Sequence, residues 1–171
     1  MTSKKLRLVF AALAVTVTTP AAAQAAGEMT VHRDPGCGCC GVWAKQVAGQ
    51  LGGKYKLVDN PARAVLVKRS GVPDALRSCH TTIIDGAVVE GHAPAADIKR
   101  FLAARPKGMK GIAVAGMPLG TPGMEAPGRK PDRYSVVAFG AGRQALFAKH
   151  CRSQAGAVSR RPGPLPKQAE P

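Results

Sequence analysis

Cys37, Cys39 and Cys40 lie within Asp34-Pro35-Gly36-Cys37-Gly38-Cys39-Cys40-Gly41-Val42-Trp43 and are three of the chain's five cysteines. A structural disulfide framework spreads its cysteines so that each bridge closes a sizeable loop. Crowding them does the opposite: several sulfurs converge on one small, thiol-loving object. Soft thiolate and thioether donors select cuprous copper, whereas zinc takes tetrahedral cysteine and histidine sets. The spacing holds a second chemistry as well. Cys37 and Cys40 stand at the C-x-x-C interval of a dithiol redox pair, with Cys39 inserted between them. A cycling disulfide needs two sulfurs and is prone to scrambling beside a third. A soft-metal site gains from each added thiolate.

The flanking residues say which elements present these sulfurs. Met29-Thr30-Val31-His32-Arg33 alternates as a short strand leading into the turn. Asp34-Pro35 favours a turn, and Gly36, Gly38 and Gly41 let the chain close tightly around an ion. Val42, Trp43, Ala44, Val47 and Leu51 then mark one apolar helix face, which Gly52-Gly53 stops. Cys37 lies just ahead of that helix, and Cys39 and Cys40 enter it. There, unpaired backbone N–H groups and the positive dipole end favour thiolates.

Tyr55-Lys56-Leu57-Val58 reads as a second strand. Pro61 suits the first position of a helix running through Arg63, Val65, Leu66 and Lys68 to Ser70-Gly71. Thr81 to Ile84 and Ala87 to Glu90 form a hairpin about Asp85-Gly86. Pro94, Ile98, Phe101 and Leu102 mark a further helix, ended by Pro106-Lys107-Gly108. Strand, helix, strand, helix, hairpin and helix is the order of an α/β, atypical thioredoxin-like fold, with its first strands paired in parallel by a right-handed crossover. Gly108 to Pro131 reads as an irregular Gly/Pro/Met-rich loop. Tyr134 to Phe139 and Gln144 to Phe147 complete the domain as a C-terminal β-hairpin. The domain is expected over residues 28–150, with the loop at 108–131.

In that arrangement the loop entering the third strand faces the cysteine turn, which makes Cys79, in Ser78-Cys79-His80-Thr81, the fourth sulfur. Met117 and Met124 add two thioethers in a loop without an evident core role. Methionine serves cuprous copper well and zinc poorly, so a structural zinc site would leave both idle. His80 and His92 flank the hairpin within reach of the turn, and His32 precedes it. For each, an ordinary surface or hydrogen-bonded role is the simpler reading. Cys151, beside His150, reads as a peripheral thiol.

Lys4, Lys5 and Arg7 precede an apolar run from Leu8 to about Val17, then Pro20 and Ala23-Gln24-Ala25. Residues 1–25 read as a secretory signal peptide, because the apolar core is too short to span a bilayer and a cleavage pattern follows it. The mature chain is expected in a periplasm, with no membrane span. The formal charge is +15, and removing Lys4, Lys5 and Arg7 leaves +12. Export removes nucleic acid as a partner, and the basic residues are scattered rather than striped. Residues 152–171, rich in Pro, Ala, Arg and Gln, have too few bulky apolar side chains to offset their ordering entropy and are expected to be a disordered basic tail.

Four motifs in order resemble the CopG-type periplasmic copper-resistance family, formerly a domain of unknown function. They are Asp34 to Cys40 with Trp43; Ser78-Cys79-His80-Thr81; Val89-Glu90-Gly91-His92-Ala93-Pro94; and Gly116-Met117-Pro118 through Gly123-Met124-Glu125. The likeness runs from about Met29 to Phe147. It implies copper held as Cu(I) at the C-x-C-C turn with the fourth cysteine, several ions per chain, a part in handling excess copper and a redox role. It carries over to Cys37, Cys39, Cys40, Cys79, Met117 and Met124. Ala93 and Ala115 depart from it, standing where valine and proline are expected. Copper ions and other periplasmic copper-handling proteins are the implied partners. A thiol–disulfide or copper-linked oxidoreductase is the alternative reading.

Overall fold

A computed structural model describes residues 27–150. The expected signal peptide and tail, together with Cys151, lie outside the described residues. Seven strands form one mixed sheet in the order β2-β1-β3-β4-β5-β6-β7. They are β1 (Met29–Arg33), β2 (Tyr55–Asp59), β3 (His80–Ile84), β4 (Ala87–Glu90), β5 (Gly111–Ala113), β6 (Tyr134–Gly140) and β7 (Arg143–His150). Three α-helices accompany them: α1 (Gly38–Leu51), α2 (Arg63–Arg69) and α3 (Ala95–Ala104). β1 and β2 pair in parallel through α1, as the alternating order predicts, while β1 and β3 run antiparallel. This is the α/β thioredoxin-like arrangement.

The sheet is covered on both sides. Val31, Val89, Ile112 and Ala138 fall in one cross-strand row through Thr82. That row packs against Trp43, Val47 and Leu51 of α1 and against Ile98 and Phe101 of α3. The alternate residues Val88, Ala113 and Phe139 face the other way and bury Val67, Val72 and Leu76. This second, smaller core ties α2 and the short turn after it to the sheet. No helix among the described residues is long and apolar enough to cross a membrane.

The structure alters four expectations. The loop from Gly108 to Pro131 contains a strand, because Gly111–Ala113 pairs with β4 on one side and β6 on the other. Val42 is 49% exposed, so the buried face of α1 is built from Cys40, Trp43, Ala44, Val47, Ala48 and Leu51 instead. Pro61 lies ahead of α2, which begins at Arg63. The return strand runs longer than expected, from Arg143 to His150, and forms one edge of the sheet.

Candidate metal centre

The site forms where β1 gives way to α1. Cys37 occupies the N-cap position and makes no side-chain capping bond, and the first turn contains no acidic residue. No side chain of its own first turn neutralises the positive end of α1, which favours anionic sulfur nearby. Asp34 fixes the entry, since its carbonyl accepts from Cys37 N–H at 3.1 Å and its own N–H donates to the Cys79 carbonyl at 3.1 Å. Arg33 holds the turn from behind, donating to the Cys37 carbonyl at 2.7 Å while pairing with Asp59 at 2.6 Å.

Four sulfurs meet there. The ligand atoms of Cys37, Cys39, Cys40 and Cys79 all lie within 4.8 Å of one another. Cys37 and Cys40 form a disulfide, whereas Cys39 and Cys79 are free thiols. Cys39 Sγ is 3.5 Å from Cys37 Sγ, and Cys79 Sγ is 3.4 Å from Cys40 Sγ. Burial pushes the Cys79 thiol up to about 11, and a neighbouring charge on Cys39 adds to the rise.

A second set overlaps the first: Cys40, Cys79, His80 and His92 also bring their ligand atoms within 4.8 Å. Both histidines are fully buried, not at the surface. His92 Nδ1 lies 2.8 Å from the Pro122 carbonyl, which only accepts, so Nδ1 carries the proton. Nε2 is thereby left with its lone pair facing Cys79 Sγ at 3.2 Å. A carbonyl that fixes the imidazole tautomer in this way is the usual outer support of a metal-binding histidine. His80 Nδ1 is 3.6 Å from Cys79 Sγ, while its Nε2 is buried without a hydrogen-bond partner. The His80 ring packs on Trp43 at 4.3 Å and edge-on to His92 at 4.9 Å. Burial holds His80 well below the usual imidazole range and lowers His92 as well. Both are therefore neutral donors near pH 7.

The methionine loop is ordered over this cluster. Thr121 is fully buried, and Gly120 and Met124 close a local turn through Gly120 N–H to Met124 O and Met124 N–H to Thr121 O. At Gly123, φ is +79°, and a Cβ would stand 2.8 Å from both the Cys39 carbonyl and the Trp43 nitrogen. Only glycine permits so close an approach to α1. Gly116 is bonded on its other side, to Ser78 Oγ–H and to the Arg77 carbonyl. The residues preceding Met117 and Met124 thus rest against the two cysteine-bearing segments. Met117 itself is 53% exposed, and Met124 is partly buried. His32, the remaining histidine before the turn, belongs to neither ligand group.

A thioredoxin-like α/β domain with thiols and imidazoles clustered at its first strand-to-helix turn has the donor set of a soft-metal or dithiol site. A family model described as a protein of unknown function, DUF411, matches residues 76–124, which span Cys79, both buried histidines and both methionines. Among curated proteins nothing matches. A solved structure of copper resistance protein copG, form 1, superposes with a TM-score of 0.68 at 39% identity, covering 74% of this chain and 98% of that one. Form 2 of the same protein gives 0.66 at 40% identity, covering 74% and 99%. The chain belongs to the CopG-type copper-resistance family.

Proposed function

We propose that the protein is a non-catalytic periplasmic Cu(I)-binding protein that buffers copper or passes it on. The observation that carries this reading is the convergence of four cysteine sulfurs within 4.8 Å at the N-terminus of α1. Cys37, Cys39, Cys40 and Cys79 are the assigned sulfur ligands, with Met117 and Met124 as thioethers in the covering loop. His92, with Nε2 directed at Cys79, and His80 add neutral nitrogen donors, so the pocket offers more soft donors than one cuprous ion uses. That surplus supports more than one ion per chain. The disulfide must first open, because a bridged sulfur is a far weaker donor than a thiolate. Reduced protein in competition with a mild Cu(I) chelator is expected to take up several equivalents, and Cys39→Ser to lose much of that capacity. Absence of uptake by the reduced wild type overturns the reading.

The Cys37–Cys40 disulfide favours a second reading, thiol–disulfide exchange, in which Cys79 or Cys39 attacks the bridge across about 3.5 Å. Exchange with a model dithiol that disappears in Cys37→Ser supports it. Full exchange activity without Cys37 excludes it.

A further inference from the structure

Behind the sulfurs, on the α2 face of the sheet, lies a buried charged group that contributes no ligand. Arg63 opens α2, and its side chain is 9% exposed. Its Nε and one Nη fork the Asp34 carboxylate at 2.8 and 3.1 Å. The second hydrogen of that Nη goes to the Ser78 carbonyl. The other Nη donates to Thr81 Oγ1 at 3.2 Å and to Glu90 Oε1 at 3.1 Å. All five guanidinium donors are therefore used, each toward a fixed acceptor. Glu90 is fully buried and continues the network, accepting from Ser78 N–H at 2.9 Å and from Thr81 O–H at 2.6 Å.

The three segments gathered by this fork are the ones that carry the donors of the centre. Asp34 starts the turn that presents Cys37 to Cys40, Ser78 precedes Cys79, and Glu90 stands two residues before His92. None of these five hydrogen bonds goes to a sulfur. The planar fork instead fixes the distance from one cysteine wall to the other, a task for which the single point charge of lysine has the wrong shape. We infer that Arg63 is a positioning residue that sets the spacing of the Cys40 and Cys79 sulfurs, and that capture of a soft metal between the two walls depends on it. This rests on the reading of the cluster as a thiolate metal site.

Two arms test it, one of them free of metal. Cys40 and Cys79 Sγ lie 3.4 Å apart, and in metal-free Cys37→Ser protein, where both are thiols, oxidised glutathione is expected to close them in two successive exchanges that release two reduced glutathiones. Trapping and peptide mass spectrometry read the closure rate. The variants are Asp34→Asn, whose side chain is 53% exposed and so leaves the fold intact, and Arg63→Lys. Each is made in the Cys37→Ser background for closure and in the wild type for Cu(I) competition. Closure is expected to slow, and Cu(I) affinity to fall, by about tenfold or more. Should Arg63→Lys fail to fold by circular dichroism, Asp34→Asn decides alone. Closure and affinity both within about twofold of the parent in folded variants overturn the inference, since supporting residues of real sites cost more than this. If wild-type protein binds no Cu(I) while closure still depends on the fork, the function proposed above fails and Arg63 keeps its role.

Discussion

The cysteine site, where β1, β3 and β4 meet, and the far edge of the sheet at β7 are each fastened to a helix by a buried charged residue, and they use it differently. At the site, Arg63 on α2 draws three ligand-bearing segments to one point and spends all its donors on them. At the far end, Asp97 on α3 accepts from Arg100 at 3.0 Å and from His150 at 2.7 Å, pinning the end of β7. Aromatic contacts share that second load: Tyr134 stacks on His150 at 4.7 Å, Phe101 meets Phe147 edge-on at 5.8 Å, and Arg100 lies 4.3 Å over Phe147. One anchor fixes coordinates and the other closes a core. Where apolar and aromatic packing already holds an element, loss of a polar anchor is buffered. Where one guanidinium gathers three separate segments, it is not.

The largest effect should therefore come from Arg63→Met. It leaves Glu90 as a fully buried carboxyl without its cation, and breaking such a pair costs about 3–5 kcal/mol. Urea denaturation is the measurement. Arg63→Met with Glu90→Leu should recover most of the loss, because no uncompensated charge then remains. A loss below about 1 kcal/mol, the value of an exposed pair, breaks the contrast between the two anchors. Asp97→Ala should cost less, about 1–3 kcal/mol for the hydrogen-bonding groups it strands, and should leave Cu(I) capacity unchanged. A fall in copper binding there would mean that the far hairpin also governs the site.

The third test is a pH dependence at the site. Burial depresses His80 and His92 below the 6.5 of an unfolded histidine, so the native state keeps them neutral while the unfolded chain takes up protons. Their contribution is complete above pH 6.5 and is lost as pH falls below it, toward the folded values. In metal-free buffer, stability should drop below pH 6.5 by up to about 1.4 kcal/mol per pH unit through His80, with a further loss in the same direction from His92. His80→Gln should flatten the slope by one such increment, read from urea midpoints at pH 7.5, 6 and 5. An unchanged slope would place His80 in a wetter setting than its burial indicates.

Sequence order alone carried much of the fold. Alternating strands and helices up to α3 were legible because Gly and Pro punctuate them and because β1 and α1 each bury one face with its own periodicity. β5 was not, since Gly111-Ile112-Ala113 becomes a strand only through neighbours on both sides, with Glu90 and Val137 bracketing Ala113. Val42 was misplaced because an apolar residue beside Trp43 looks like core until the helix phase is known. The cysteine cluster was readable from spacing. The burial of the histidines was not, although a signal existed. The two-residue turn at Asp85-Gly86 fixes a hairpin register that puts Thr81 opposite Glu90, which brings His80 and His92 to the same end. Arg63 gave no local sign at all, since a basic residue on a short helix is ordinary until Asp34, Ser78 and Glu90 are folded around it.

The smallest expected change in stability sharpens the comparison most, because it separates stability from capture. Gly123→Ala puts a methyl group 2.8 Å from the Cys39 carbonyl and the Trp43 nitrogen, at a φ of +79°. Neither neighbour yields, since both are backbone atoms of α1. The loop must rise instead, carrying Met124 with it and disturbing the Pro122 carbonyl that fixes His92. The loop holds itself through Thr121 and through Leu119 N–H bonded to Asp132 at 2.8 Å, so the fold should lose only about 1 kcal/mol from the strained φ. Cu(I) affinity should fall well beyond that, because support of a donor histidine is itself worth about tenfold or more. Unaltered Cu(I) competition in a folded Gly123→Ala protein would take the methionine loop out of the metal centre and leave the four cysteines to account for capture alone.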